Sequence, residues 1–154
     1  YFIKYFVVSI VLMSCKKVKV SGVVYVIFNK KNGAFIRYDT NDNIDYACYY
    51  IDNKLNGSYI RYYVNGNVSS KSYYIDDKFN GERISYWSNG KIVSKSYYID
   101  GKLKGEDSDY HENGNIELKG YFIGSKRNGG FIRYDENGNI TLKCYYIDNN
   151  RIWF

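Results

Sequence analysis

Apolar and polar residues alternate along most of this chain with a period of two. In Ser58 to Tyr63 the residue types alternate and β-forming residues dominate, and this stretch runs into Asn65-Gly66. A second such stretch, Val68 to Ile75, leads to the polar segment Asp76 to Asn80. Short alternating runs bounded by turn residues are typical of strands, and Asn-Gly suits the positive φ angles of a tight hairpin turn. The pattern therefore predicts β-hairpins that turn tightly at Asn-Gly.

The hairpin pattern recurs at a shift of 24 residues, five times and without a gap. The copies occupy residues 33–56, 57–80, 81–104, 105–128 and 129–152, and a leading half-repeat occupies residues 24–32. The chain contains no proline, which suits an unbroken hydrogen-bonded ladder. We expect an all-β domain over residues 23–154, a single-layer antiparallel meander or solenoid of about ten strands. Its edges should be Val23 to Phe28 and Cys144 to Ile147, with Trp153-Phe154 as a cap.

Tyrosine is concentrated at three places in each copy. The sixth, seventeenth and eighteenth places hold 14 of the 20 tyrosines. The fourth place holds Ile36, Ile60, Ile84, Ser108 and Ile132, and shares a strand face with the sixth. We therefore interpret most of the tyrosine as scaffold rather than as an aromatic binding site.

These elements resemble a known repeat. The recurring G-x-x-I-x-Y, N-G-[NK]-[IV], Y-Y-I-D and K-L-N-G segments, over residues 24–152, resemble the MORN repeat, in the variant of bacterial proteins of the YwqK-type toxin–antitoxin antitoxin-component family. The resemblance implies a fold of β-hairpin repeats. It also implies a function as a scaffold or as an antitoxin that binds a toxin protein.

The amino-terminal residues have a different pattern. A mostly apolar run, Phe6 to Met13, is too short for a bilayer span and fits the central part of a secretory signal. It ends at Leu12-Met13-Ser14-Cys15, which resembles the lipobox of bacterial lipoproteins, in which Cys15 would be lipidated. We expect residues 1–14 to be a leader and residues 15–22 a tether. The alternative is a buried strand with Cys15 as a small apolar residue.

Charge follows the same division of the chain. The net charge is +6, of which residues 1–20 carry +4 through Lys4, Lys16, Lys17 and Lys19. The rest, with 18 basic and 16 acidic residues, is nearly neutral. Nucleic acid is therefore not an expected partner. The expected location is the cell envelope through the lipid anchor, or the cytoplasm if the leader is not processed.

Residues suited to catalysis are scarce. The single histidine, His111, follows Asp107 and Asp109 in alternation, so a strand would point all three to one side, and such a set could bind zinc. The other interpretation, which we favour, is a solvated acidic patch near a lysine such as Lys119. We expect no enzymatic activity and no cofactor.

Two cysteines and a set of aromatic and basic residues complete the inventory. Cys48 and Cys144 occupy the same place four copies apart, on the order of 38 Å along a sheet, and so cannot pair within the chain.

Tyr, Trp and Arg dominate binding energies at interfaces. The candidate interaction surface consists of Phe35, Arg37, Tyr59, Arg61, Tyr63, Trp87, Phe131 and Arg133. The alternative is that these residues lie on the second face of a sheet that curls on itself, where the stems of the arginines pack on the aromatic rings.

The expected function is that of a non-enzymatic repeat lipoprotein that binds another protein at the cell envelope. One alternative is an antitoxin that neutralises a toxin. Another is binding of a glycan or a lipid headgroup through the Tyr and Trp rows.

Overall fold

A computed structural model describes residues 16–20, 23–27 and 31–152. The predicted leader, its lipidation at Cys15 and the predicted cap at Trp153-Phe154 lie outside the described residues. The described strands are β1 (Lys16–Val20), β2 (Val23–Ile27), β3 (Gly33–Tyr38), β4 (Ile44–Ile51), β5 (Lys54–Tyr62), β6 (Val68–Ile75), β7 (Lys78–Phe79), β8 (Gly81–Tyr86), β9 (Ile92–Ile99), β10 (Lys102–Leu103), β11 (Gly105–Tyr110), β12 (Ile116–Ile123), β13 (Lys126–Arg127), β14 (Gly129–Tyr134), β15 (Ile140–Ile147) and β16 (Asn150–Ile152).

Strands β3 to β16 form one antiparallel sheet, and consecutive long strands are neighbours in it. Each copy contributes one hairpin, so ten long strands cross the sheet, and the short strands β7, β10 and β13 fold back onto β6, β9 and β12. The predicted all-β meander of repeated hairpins is confirmed. It is open, because its first and last described strands are not paired with each other.

The two turns of each copy differ in form from the prediction. At Asn65-Gly66 only Gly66 has a positive φ, 83°, and its N–H donates to the carbonyl of Tyr63 at 2.9 Å. The side-chain oxygen of Asn65 accepts the N–H of Asn67 at 3.0 Å, which holds Asn65 in an ordinary turn conformation. The Asn-Gly turn is therefore the wider hairpin form, in which glycine alone is left-handed.

The tight two-residue turn lies instead after the Tyr-Tyr-Ile segment. Asp76 and Asp77 have φ angles of 49° and 66°, and Ile75 pairs directly with Lys78 across them. Two consecutive positive φ angles define the turn that best matches strand twist, and Asp and Asn tolerate that conformation. The sequence prediction placed this turn at the wrong dipeptide.

Three expectations about strand ends also change. Lys16–Val20, predicted as part of a tether, forms β1 and pairs with β2 in a separate two-stranded sheet. The predicted edge at Cys144 to Ile147 is paired with β16, since Tyr145 lies opposite Ile152. The other predicted edge, Val23 to Phe28, is not an edge of the large sheet, because β2 belongs to the separate sheet. Within the described residues, the edges of the large sheet are β3 and β16.

Strand register divides the side chains into two faces, because residues directly opposite each other point to the same side. The ring face carries places three, five, fourteen, sixteen and eighteen of each copy. The lysine face carries places two, four, fifteen, seventeen and nineteen. The fourth and sixth places share the lysine face, as predicted.

Packing is densest on the ring face, where large residues at the third place lie opposite small residues at the sixteenth. Cys48, which is 5% exposed, lies opposite both Phe35 and Tyr59. The small residues at the sixteenth place are Cys48, Ser72, Ser96, Gly120 and Cys144. Rings at the third place lie opposite both cysteines, a setting that suits a small apolar side chain, and both thiols are free.

Candidate interaction surface

Four of the predicted interface residues lie together on the ring face of the first two copies. Arg37 and Arg61 flank Tyr46 in adjacent strand positions. Both guanidinium groups contact the carboxylate of Asp45, at 3.5 and 3.7 Å. Phe35 and Tyr59 contact Tyr46, with ring centroids 6.1 and 5.2 Å apart. This arginine–aromatic cluster is real, but Asp45 already compensates part of its charge.

The other four predicted interface residues do not join this cluster. Phe131 and Arg133 lie in the fifth copy, towards the opposite end of the sheet. The Phe131 ring packs between Phe122 and Tyr146, at 5.3 and 5.0 Å, and Phe131 is only 5% exposed. The predicted interaction surface required an exposed Phe131 ring, but this ring is buried and is not available to a partner. The guanidinium group of Arg127 lies over the Phe131 ring, 5.2 Å from its centroid.

Tyr63 and Trp87 lie beyond the strands, at the Asn-Gly turns. The Tyr63 hydroxyl donates to the carbonyl of Tyr86 at 2.6 Å, which links the turn of one copy to the next copy. The side chain of Trp87 is exposed, with a relative exposure of 39%. The backbone N–H of Trp87 donates to the carbonyl of Lys91 at 2.7 Å and closes the turn. Tyr63 is therefore part of the scaffold, and Trp87 is an isolated exposed ring.

The proposed metal ligands are engaged separately. Asp107 accepts the hydroxyl of Ser96 at 2.5 Å. His111 lies past the end of β11, and its Nε2 is 3.0 Å from the carbonyl of Tyr134. Because a carbonyl can only accept, Nε2 carries the proton and donates it. Among the described residues, no group of three or more potential metal ligands lies close enough to hold an ion.

The fourth copy nevertheless makes the ring face locally acidic. Burial raises the pKa of Asp109, and the neighbouring carboxylates Asp107 and Glu117 raise it further, while Arg133 opposes them. The favoured prediction of an acidic patch is thus supported in part. Lys119, however, lies on the opposite face and pairs with Glu106 at 3.0 Å.

The lysine face holds the exposed apolar surface that the sequence prediction missed. All ten residues at the seventeenth and nineteenth places are 38–52% exposed. They are Tyr49, Tyr73, Tyr97, Tyr121 and Tyr145, with Ile51, Ile75, Ile99, Ile123 and Ile147. The sequence analysis interpreted these tyrosines as scaffold, but at the seventeenth place their side chains are exposed. The available signal was that places seventeen and nineteen share a face and alternate with the packed eighteenth place.

A row of isoleucine and lysine, interrupted by Ala47 and Ser108, runs beside these tyrosines across the ten long strands. Lys95 lies between Ile84 and Ser108 in the register, and the same order recurs in the neighbouring copies. Two of the lysines are neutralised within the face, because Lys95 pairs with Glu82 at 2.9 Å and Lys119 with Glu106. A shallow depression in this face is lined in part by Lys71, Tyr73, Glu82 and Ile84. The arrangement is a broad contact surface rather than an enclosed pocket.

Successive copies are joined at the tight turns by two-way hydrogen bonds. Asn149 donates its N–H to the carbonyl of Arg127 at 2.9 Å, and its side-chain oxygen accepts the N–H of Arg127 at 2.7 Å. Asn53 does the same with Lys31, and Asp77 with Leu55. Lys31 belongs to the predicted half-repeat. The end of the half-repeat therefore makes the same hydrogen bonds to the next copy as a complete copy does. These rungs fix the order of the copies and hold both faces in register.

In the part of the chain that the structure describes, no helix has the length and apolarity needed to cross a membrane.

Comparisons with known proteins give a family match over part of the chain and weak structural likenesses. Residues 55–76, 79–100 and 127–148 match the MORN repeat variant. No curated protein matches the sequence significantly. A crystal structure of a point mutant of S. aureus TarM, in complex with Fondaparinux, alpha-GlcNAc-glycerol and UDP, shares 18% identity at a TM-score of 0.35. That similarity covers 82% of this chain but only 20% of TarM, and it is too low to bear on fold or function.

The three matched segments begin at intervals of 24 residues or a multiple of 24, in the same register as the structural hairpins. The copies that lie outside the matches have the same strands and the same inter-copy rungs. These three segments are therefore similar to the MORN repeat variant, and the hairpins of the remaining copies share their strand pattern.

Proposed function

We propose that this chain is a non-catalytic scaffold that binds another protein through the lysine face, and that it is held at the cell envelope by lipidation of Cys15. Proteins built from this repeat are typically non-catalytic. The observation that carries the proposal is the row of ten exposed tyrosines and isoleucines on one side of a rigidly bonded sheet. Exposed apolar surface of this extent marks interaction sites.

The lysine face has the composition of a protein-binding surface. Tyrosine supplies large contact area at little cost in conformational entropy, and it is among the residues that dominate interface energetics. Lys95 and Lys119 carry their own carboxylate partners, so desolvating them does not leave an unpaired charge. The arginine–aromatic cluster of Arg37, Tyr46 and Arg61 is a smaller second surface on the ring face.

A photo-crosslinking residue in place of Tyr97, in the cells that make the protein, tests the proposed surface. We expect a crosslinked protein adduct from Tyr97 and none from the same residue in place of Val64. Val64 is a suitable control because it is 75% exposed but lies at a turn, off the lysine face. Adducts from neither Tyr73, Tyr97 nor Tyr121, or equal adducts from Val64, would contradict the proposal.

Labelling with palmitate tests the anchor separately. The full chain should incorporate label, and Cys15→Ala should abolish it while Cys144→Ala leaves it unchanged. Cys144 is the control because it is also a free thiol, and only partly buried. Unlabelled wild-type protein would refute the envelope location and would leave the binding surface to be judged by crosslinking.

A glycan is the second candidate ligand, and the seventeenth-place tyrosines favour it. One exposed ring recurs per copy, about every 10 Å along the sheet, and aromatic rings stack on sugar rings. Retention on insoluble peptidoglycan should then be lost in Tyr73→Ser/Tyr97→Ser/Tyr121→Ser. Retention should persist in Val64→Ser.

A further inference from the structure

The lysine face is large enough to form a stable interface. Its ten long strands, spaced at about 4.8 Å, and about six residues per strand give roughly 43 Å by 20 Å. That area of about 850 Å² is close to the ~800 Å² that each partner buries in a standard protein interface. Within the described residues no second layer covers it, since the large sheet is a single layer.

We propose that the occupant of this surface is a second copy of the chain, packed lysine face to lysine face. The two-fold axis runs parallel to the strands, midway between the sheets, at the junction of β8 and β9. This inference rests on the proposed function, because it names the protein bound at the same surface. Two sheets packed with their strands nearly aligned, about 10 Å apart, are a common arrangement.

The strand register makes the isoleucine–lysine row self-complementary under this axis. First strands of each copy contribute the fourth place and second strands the fifteenth, and the two kinds alternate across the sheet. The axis reverses strand order and therefore sets every first strand opposite a second strand. Each lysine then faces an isoleucine or a serine of the other copy, and no lysine faces a lysine. The pairs are Lys95 with Ile84, Lys71 with Ser108, Lys119 with Ile60, and Lys143 with Ile36.

The tyrosine row is complementary in size. Opposite each seventeenth-place tyrosine lies a second-place residue of the other copy, which is small or acidic. The pairs are Tyr49 with Gly130, Tyr121 with Ser58, Tyr145 with Ala34, Tyr97 with Glu82, and Tyr73 with Glu106. A ring can fill the space over a small residue, and a tyrosine hydroxyl can donate to a carboxylate.

Charge is also compatible with this pairing. The Lys95–Glu82 pair lies at the axis and is neutral as a unit. Lys71 lies opposite Ile60, and the second place on that strand, which holds the glutamate partners of Lys95 and Lys119 in the next two copies, is Ser58. The axis sets Lys71 over Ser108, two residues from Glu106 on the same strand. Like charges are thus kept apart. Lys71 lies near a carboxylate, whereas Lys143, which has Gly130 at the second place of its own copy, faces the apolar Ile36.

Sedimentation of the purified full chain over a range of concentrations tests the inference. We expect a monomer–dimer equilibrium that Tyr73→Lys/Tyr97→Lys weakens at least about tenfold, as hot-spot truncations do. Val64→Lys should leave it unchanged, and circular dichroism should show that all three proteins keep their sheet. The inference would be overturned if the wild-type chain sediments as a monomer even at protein concentrations well above micromolar. It would also be overturned if the dimer is insensitive to the double substitution.

A crosslinking pair tests the geometry of the dimer. In a Cys15→Ser background, Ser58→Cys/Tyr121→Cys should give dimers with a short bismaleimide, because the axis sets these two positions opposite each other. Ser58→Cys/Tyr145→Cys carries the same number of thiols at positions that the axis separates, and it should give few dimers. Equal yields would refute this arrangement. If Tyr97 crosslinks in cells only to a different protein while the purified chain is monomeric, this inference fails and the proposed function stands.

Discussion

The backbone N–H and the side-chain oxygen of Asn149 both bond to Arg127, 22 residues earlier, at 2.9 and 2.7 Å. In four of the five copies, one residue of the tight turn thus satisfies both backbone groups of a residue in the preceding unit. Equivalent residues are Asn53, Asp77 and Ser125, each with a φ between 66° and 69°. In the third copy the place is held by Gly101, which donates to the Phe79 carbonyl but has no side chain to accept in return.

Gly101→Asn should complete the missing rung. Asparagine tolerates the φ of +75° at this site, and the built Cβ would lie 3.8 Å from Lys78, an ordinary contact. Accepting the Phe79 N–H should raise the free energy of unfolding by about 0.5–1.5 kcal/mol. Urea denaturation measures the change. Gly101→Ala adds the Cβ without the acceptor and should destabilise; if both variants behave alike, the side-chain bond contributes nothing.

Gly120→Ala should destabilise the fourth copy. A Cβ at Gly120 would lie 2.5 Å from the Phe131 ring, so the ring must move out of its contacts with Phe122 and Tyr146. Overpacking of this kind costs about 1–3 kcal/mol. The matched control is Gly130→Ala, whose Cβ would meet nothing within 4 Å. Thermal unfolding of the two variants measures the difference, and an equal effect would show that the Phe131 ring does not constrain this place.

Asp109→Asn should stabilise the fold at neutral pH and not in acid. Burial raises the pKa of Asp109 above its ordinary 3.8, and Asp107 and Glu117 add to the shift. Because the folded-state pKa is the higher one, ionisation opposes folding: the protonated group favours the fold below pH 3.8, and that advantage is lost as pH rises through the folded-state pKa. Urea denaturation at pH 7 and pH 3 should show the gain only at pH 7. A gain of the same size at both values would indicate packing rather than charge.

Cys48 should react slowly with thiol reagents, and Cys144 faster. Burial raises the pKa of the Cys48 thiol, so less of the reactive thiolate is present at neutral pH, and Cys48 is 5% exposed whereas Cys144 is half-buried. Mass spectrometry of the Cys15→Ser chain after timed alkylation separates the two rates. Full unfolding in urea is the control, since it should make the two rates similar. If Cys48 were modified faster than Cys144 in the folded chain, the rings of Phe35 and Tyr59 would not shield Cys48 from the reagent.

The sequence predicted the copies, the hairpins and the register of the faces, because period-two alternation and a gapless 24-residue shift constrain these directly. It did not predict the two turn forms, since Asn65-Gly66 and Asp76-Asp77 both accept positive φ and only the pairing of Ile75 with Lys78 decides between them. It also missed that Tyr73 is exposed while Tyr74 is packed. Alternation places these two tyrosines on opposite faces, but which face is packed depends on neighbouring rings such as that of Phe79, whose centroid lies 4.5 Å from that of Tyr74.

The rungs also bear on how the length of such a chain can change over evolution. Among the residues that the structure describes, each copy bonds only to its immediate neighbours, so removal or duplication of one whole unit of 24 residues would rejoin equivalent partners at the junction. Loss of a single strand would instead join two strands of the same kind and expose the wrong side chains. The array is therefore free to lengthen or shorten by whole hairpins, and the reach of its surface changes in steps of two strands.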